Sequence, residues 1–132
     1  MIGRLNHLAI AVPDLAAATA LYRDTLGATV SEPLELPDHG VTTVFVELEN
    51  SKIELLHPLG EGSTVAKYLD RTPDGGIHHI CFEVENLQGT LDSLGESGVQ
   101  LIDKSPREGL SGMIGFIHPR STGGVLIELV DQ

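Results

Sequence analysis

Tryptophan is absent from the sequence and cysteine occurs once, at Cys81. A single cysteine makes no internal disulfide, so disulfide-rich secreted scaffolds are excluded and a reducing, cytoplasmic compartment is expected. Basic residues are scarce, with 8 Lys and Arg against 19 Asp and Glu and a formal charge of −11. Binding to a phosphate backbone needs clustered Lys and Arg, so a nucleic-acid partner is excluded. An anionic small substrate is opposed only mildly, because a metal ion would bring positive charge to the site itself. No apolar run approaches the ~18 residues of a membrane-spanning helix, so no membrane partner is expected. The N-terminal MIGRLNHLAIAVPD is broken by Asn6 and His7 and has no small-residue cleavage site. It reads as a first strand rather than a targeting segment.

What is present is a soluble composition, 41% hydrophobic and 20% charged over 132 residues, which is enough for one compact domain. Its most informative feature is an internal repeat. Residues 5–15, LNHLAIAVPDL, match 77–87, IHHICFEVENL. His7 leads Val12, Asp14 and Leu15 by the same offsets at which His79 leads Val84, Asn86 and Leu87. Each stretch reads as a strand ending in an Asp or Asn that caps a helix. The helices are expected over 15–26 and 87–97, from the spacing of their leucines and from Gly27 and Gly98 just beyond.

Three strands are expected after each helix: 28–36, 41–49 and 52–57, then 99–104, 113–117 and 125–130. The last strands match as well, Ile53-Glu54-Leu55-Leu56 against Ile127-Glu128-Leu129-Val130. The fold class is therefore α+β: two tandem βαβββ modules, 1–59 and 77–132, within a single domain. The connector, 60–76, contains a short helix capped by Ser63 or Thr64 and a turn at Pro73–Gly76.

Each module contributes a His in its first strand and a Glu in its last. If a pseudo-twofold axis relates the modules, His7, Glu54, His79 and Glu128 converge on one point. Two imidazoles and two carboxylates suit a divalent Co, Ni, Mn, Fe or Zn ion rather than a thiolate-type metal. A lone strand His is more often a packed core or edge residue, and a Glu between apolar neighbours is more often the wet side of a strand. The same two residue types at equivalent positions of both repeats favour the metal. His78 points to the face opposite His79. His39, His57 and His118 stand beside turn signals and read as loop or rim residues. Cys81 shares the face of His79 and reads as a small buried apolar residue rather than a nucleophile.

Paired βαβββ modules with a His/Glu plus His/Glu set resemble the vicinal oxygen chelate superfamily. Nearly the whole chain is similar to its methylmalonyl-CoA epimerase family, through LNHLAIAVPDL, LPDHGV, IELLHPLGEGSTVAKYL, GGIHHICFEVENL and FIHPRSTGGVLIELV. The resemblance implies an isomerase that interconverts (R)- and (S)-methylmalonyl-CoA by metal-assisted α-proton transfer through an enolate. It puts His7, His79 and Glu128 on metal-ligand positions, with Glu54 on a fourth that is Gln in some members. Co2+ is the expected ion, with Ni2+, Mn2+ and Zn2+ as alternatives. It also implies a homodimer and a place in propionate metabolism. One departure stands out. Thr43 occupies the position at which some epimerases carry a glutamate base, and a threonine cannot take that role.

Epimerisation needs proton transfer on both faces of a planar intermediate, so Glu54 and Glu128 are candidates for double duty as ligand and base. Glu47 is a third candidate, since a hairpin turning at Asn50-Ser51 would set it across from Glu54. Lys67, Lys104, Arg107 and Arg120 are the cations near loops that could meet the CoA portion. Residues 104–109 read as a mobile segment over the site. Glyoxalase I, with the same ligand types and a proton transfer beside a carbonyl, is the enzymatic rival, and an extradiol dioxygenase is a weaker one. A non-catalytic metal- or ligand-binding module on the same fold is the alternative of another class.

Overall fold

The computed structural model describes residues 1–132 and contains nine strands and three α-helices. Two compact units divide the chain: 7–78, and 79–132 joined by Met1–Asn6.

In the unit of residues 7–78, β1 (Leu5–Ala11) runs parallel to β5 (Lys52–Pro58), with Ala9 opposite Glu54. β5 pairs antiparallel with β4 (Val41–Glu47), which also pairs with the short β2 (Thr29–Val30) and β3 (Leu34–Leu36). α1 (Leu15–Ala20) starts where the Asp14 carboxylate accepts from the Ala17 amide, and continues as a π-helical turn over Leu21–Thr25. Its apolar residues Leu15, Ala18 and Tyr22 cover one sheet face, against Val44, Val46 and Leu55. α2 (Thr64–Arg71) is capped by Ser63, whose hydroxyl accepts from the Ala66 amide. It closes a smaller core of Val65, Leu56, Val41, Ala9 and Ala11 at one end of the opposite face.

The unit of residues 79–132 repeats the plan. β6 (Gly76–Val84) runs parallel to β9 (Ile127–Asp131), with Cys81 opposite Glu128. β9 pairs antiparallel with β8 (Met113–Ile117), and β8 with the two-residue β7 (Arg107–Glu108). α3 (Leu87–Glu96) is capped by Asn86, whose side chain accepts from the Gly89 amide. Its Leu87, Leu91 and Leu94 cover the Val84, Ile117 and Leu129 face.

Three expectations about the strands are corrected. The run 28–36 is two strands, because the Ser31 side chain takes the Phe45 amide and Pro33 has no N–H to offer. The run 99–104 is reduced to one bridge, Leu101 to Ile117. There the amides of Ile102 and Asp103 share the Phe116 carbonyl, while the Asp103 carboxylate accepts the Phe116 N–H. The β4–β5 hairpin turns through Leu48–Ser51 and pairs Glu47 with Lys52, so Phe45, not Glu47, stands opposite Glu54.

Candidate metal and proton-transfer site

Side chains alternate across a strand, and this alternation puts one His/Glu pair on the helix-poor face of each unit. In the first, His7 lies two residues before Ala9, which is opposite Glu54. Nε2 of His7 stands 3.5 Å from Oε1 of Glu54, with the two side chains 12% and 10% exposed. In the second, His79 lies two residues before Cys81, which is opposite Glu128. Nε2 of His79 stands 3.1 Å from Oε1 of Glu128, with 7% and 11% exposed. The same residue types thus take the same register in both halves.

Each pair brings a ring nitrogen and a carboxylate oxygen within 3.1–3.5 Å, a spacing that a shared ion could also bridge. Two donor atoms sharing one ion at about 2.0–2.2 Å, near a right angle, lie roughly 3 Å apart. Nitrogen and carboxylate oxygen donors match a borderline divalent ion, and no thiolate is needed. Buried carboxylates also call for a positive partner, which such an ion would supply.

The surroundings hold each pair in orientation. Thr43, fully buried on β4, donates its hydroxyl to Oε2 of Glu54 at 3.1 Å, which leaves Oε1 toward His7. Phe45 and Phe116 are the cross-strand partners of Glu54 and Glu128. The Phe116 ring meets His79 edge-on at 5.7 Å between centroids. A cation lies over each phenylalanine: Lys52 at 5.1 Å from Phe45 and Arg107 at 5.2 Å from Phe116. Cys81 is buried with Ile114 and Val130.

The remaining histidines separate from these pairs. His78 packs against Tyr68 at 5.3 Å between ring centroids. His57, expected at a rim, is a half-buried residue of β5 whose Nδ1 lies 3.0 Å from the Val12 carbonyl oxygen. His118 accepts from the Arg120 amide and caps a short 3-10 turn, and His39 ends another. Glu47 is exposed at the far end of β4. An open cleft of about 580 Å3 between the N-terminal residues, Glu83–Asn86 and Gln132 contains neither pair. Sequence reasoning missed Thr43 as a partner of Glu54 and Arg107 as a neighbour of Phe116, because both contacts depend on strand register.

Comparison with known proteins places the chain among relatives. The model of the Glyoxalase/Bleomycin resistance protein/Dioxygenase superfamily matches residues 6–116. The ethylmalonyl-CoA/methylmalonyl-CoA epimerase of Cereibacter sphaeroides is 56% identical, over 98% of both chains. The mitochondrial methylmalonyl-CoA epimerase of Homo sapiens is 49% identical, over 97% of this chain and 73% of its own length. A solved methylmalonyl-CoA epimerase in complex with methylmalonyl-CoA and NH4+ superposes with a TM-score of 0.90 at 32% identity, covering 100% of this chain and 96% of that one. The chain belongs to the methylmalonyl-CoA epimerase family of the glyoxalase/bleomycin resistance protein/dioxygenase superfamily.

Proposed function

We propose that the protein interconverts the (R) and (S) epimers of methylmalonyl-CoA by removing and returning the α-proton, with His7, Glu54, His79 and Glu128 holding a divalent ion. The observation that carries this reading is the repeated, buried His/Glu pair, in a chain similar over nearly its whole length to epimerases acting on CoA thioesters. Co2+ is the proposed ion, with Ni2+, Mn2+ and Zn2+ as alternatives of the same coordination preference.

When bound, the ion supplies Lewis-acid stabilisation of the negative charge that develops on the substrate's carbonyl oxygen, a contribution worth several kcal/mol. The protein's own groups orient and move the proton. Deprotonation on one face and reprotonation on the other need two groups, and the repeat supplies two equivalent carboxylates, Glu54 and Glu128. A positioned carboxylate contributes about 10²–10⁴-fold as general acid or base. Thr43 fixes the direction of the Glu54 carboxylate and itself moves no proton. Glu47, set across from Lys52, loses the argument that brought it forward.

The 56%-identical relative is named for ethylmalonyl-CoA as well, so the substrate class we propose is a 2-alkylmalonyl-CoA. A homodimer in the cytoplasm, serving propionate breakdown, is the proposed setting. No helix of the structure is long and apolar enough to cross a membrane.

The test is deuterium uptake at the α-carbon of methylmalonyl-CoA and ethylmalonyl-CoA in deuterated water, with a hemithioacetal glyoxalase assay alongside. Fast exchange that disappears in H79A, without lactoylglutathione formation, supports the reading. Lactoylglutathione formation without exchange moves the activity to a glyoxalase.

A further inference from the structure

Cations are few in this chain, and one of them is built into place. Arg107 on β7 lies over the Phe116 ring, and its Nε donates to Oδ1 of Asp103 at 3.0 Å. Asp103 is itself fixed, since Oδ2 accepts the Phe116 amide at 2.9 Å and its side chain is 15% exposed. The guanidinium is therefore held at two places, its face on an aromatic ring and its Nε edge on an anchored carboxylate. Asp103 is engaged through Nε, and the Arg107 side chain as a whole is 50% exposed. A planar fork presented in this way matches an oxyanion.

The position is as telling as the construction. Arg107 pairs with Ile114 and so shares a sheet face with Phe116, Glu128 and His79. Phe116 contacts both His79 and Arg107. The arginine thus stands one aromatic ring away from the His79/Glu128 pair, at the rim of the face that carries them. This offset sets the guanidinium apart from the pair beside which the substrate's carboxylate would react. It suits a group farther along the same substrate.

We infer that Arg107, oriented by Asp103 and Phe116, is a binding residue for a phosphate group of the CoA portion of the substrate. This rests on the proposed CoA-thioester activity. In a chain of charge −11, one pre-oriented guanidinium gives a polyanionic ligand a local attraction that the net charge denies it. Asp103 neutralises part of that charge but holds the fork in place, which lowers the entropy lost on binding.

The test is a calorimetric titration of CoA into wild type, R107Q and R107K, with R107K keeping the charge should R107Q fold poorly. CoA affinity is expected to fall roughly tenfold in R107Q and by less in R107K, as a bidentate charge-assisted contact is lost or reduced to a point charge. The kcat/KM of methylmalonyl-CoA relative to methylmalonyl-pantetheine, which lacks the nucleotide phosphates, should fall by a similar factor in R107Q. Unchanged CoA affinity in both variants overturns the inference. So does an unchanged ratio between the two esters, which would move the contact to the substrate's carboxylate. Failure of the proposed activity would look different: CoA bound in an Arg107-dependent way, with no α-proton exchange.

Discussion

The hydroxyl of Thr43 donates to Oε2 of Glu54 at 3.1 Å, while Oε1 of the same carboxylate faces Nε2 of His7 at 3.5 Å. One oxygen is thus held by Thr43 and the other faces the histidine, where the proposed metal ion would bind. Replacing Thr43 with valine keeps the shape and removes the donor. We expect T43V to bind Co2+ about tenfold more weakly, the usual cost of losing a partner behind a ligand, and T43S to restore the affinity. Calorimetry of Co2+ binding reads both. Equal affinity in T43V and wild type would show that Glu54 needs no such restraint.

The two histidines should be equivalent in kind. H7A and H79A are each expected to lose stoichiometric Co2+ and, with it, most α-proton exchange, measurable by elemental analysis of dialysed protein and by NMR. Retention of a full equivalent of metal by either variant would remove that histidine from the ligand set.

Leu91 is fully buried where α3 meets β8 and β9, and the Gly115 position is so close that a Cβ there would lie 3.1 Å from its Cδ1. L91A should therefore cost about 2–5 kcal/mol, because the packed surroundings can collapse only partly into the space. Urea unfolding gives the number, and a loss under 1 kcal/mol would mean the helix repacks.

Gly75 sits at φ +83°, where a Cβ would come within 2.4 Å of the Ala11 carbonyl oxygen. G75A faces both left-handed backbone strain of roughly 1–2 kcal/mol and a clash with rigid backbone. Its thermal midpoint should drop by several degrees, more than that of alanine at the equally left-handed Gly98, where nothing lies within 4 Å.

The repeat made much of this legible in advance. A matched His and Glu at the same offsets, with Asp14 and Asn86 as caps, follows from local periodicity and capping chemistry, which act within a few residues. The caps are found at those positions, and each His meets its Glu. What failed was what depends on register. A two-residue turn at Asn50-Ser51 would set Glu47 opposite Glu54, but the wider loop through Leu48–Ser51 moves the pairing by two residues. The 99–104 strand failed because the Asp103 side chain competes for the Phe116 amide that a regular ladder would use. A side chain that substitutes for backbone leaves no mark in hydropathy. The same competition produces the Asp103–Arg107 contact, so it was invisible for the same reason.

The placement of the tyrosines has a practical consequence. Tyr22 packs from the π-helical turn onto the sheet, and Tyr68 donates its hydroxyl to the Ile77 carbonyl, both within residues 7–78. With two tyrosines and no tryptophan in the chain, ultraviolet fluorescence reports on that half alone and the half bearing His79 and Glu128 is dark. A tyrosine emission curve laid against far-ultraviolet dichroism would therefore resolve whether the duplicated halves melt together or one after the other, with no label attached.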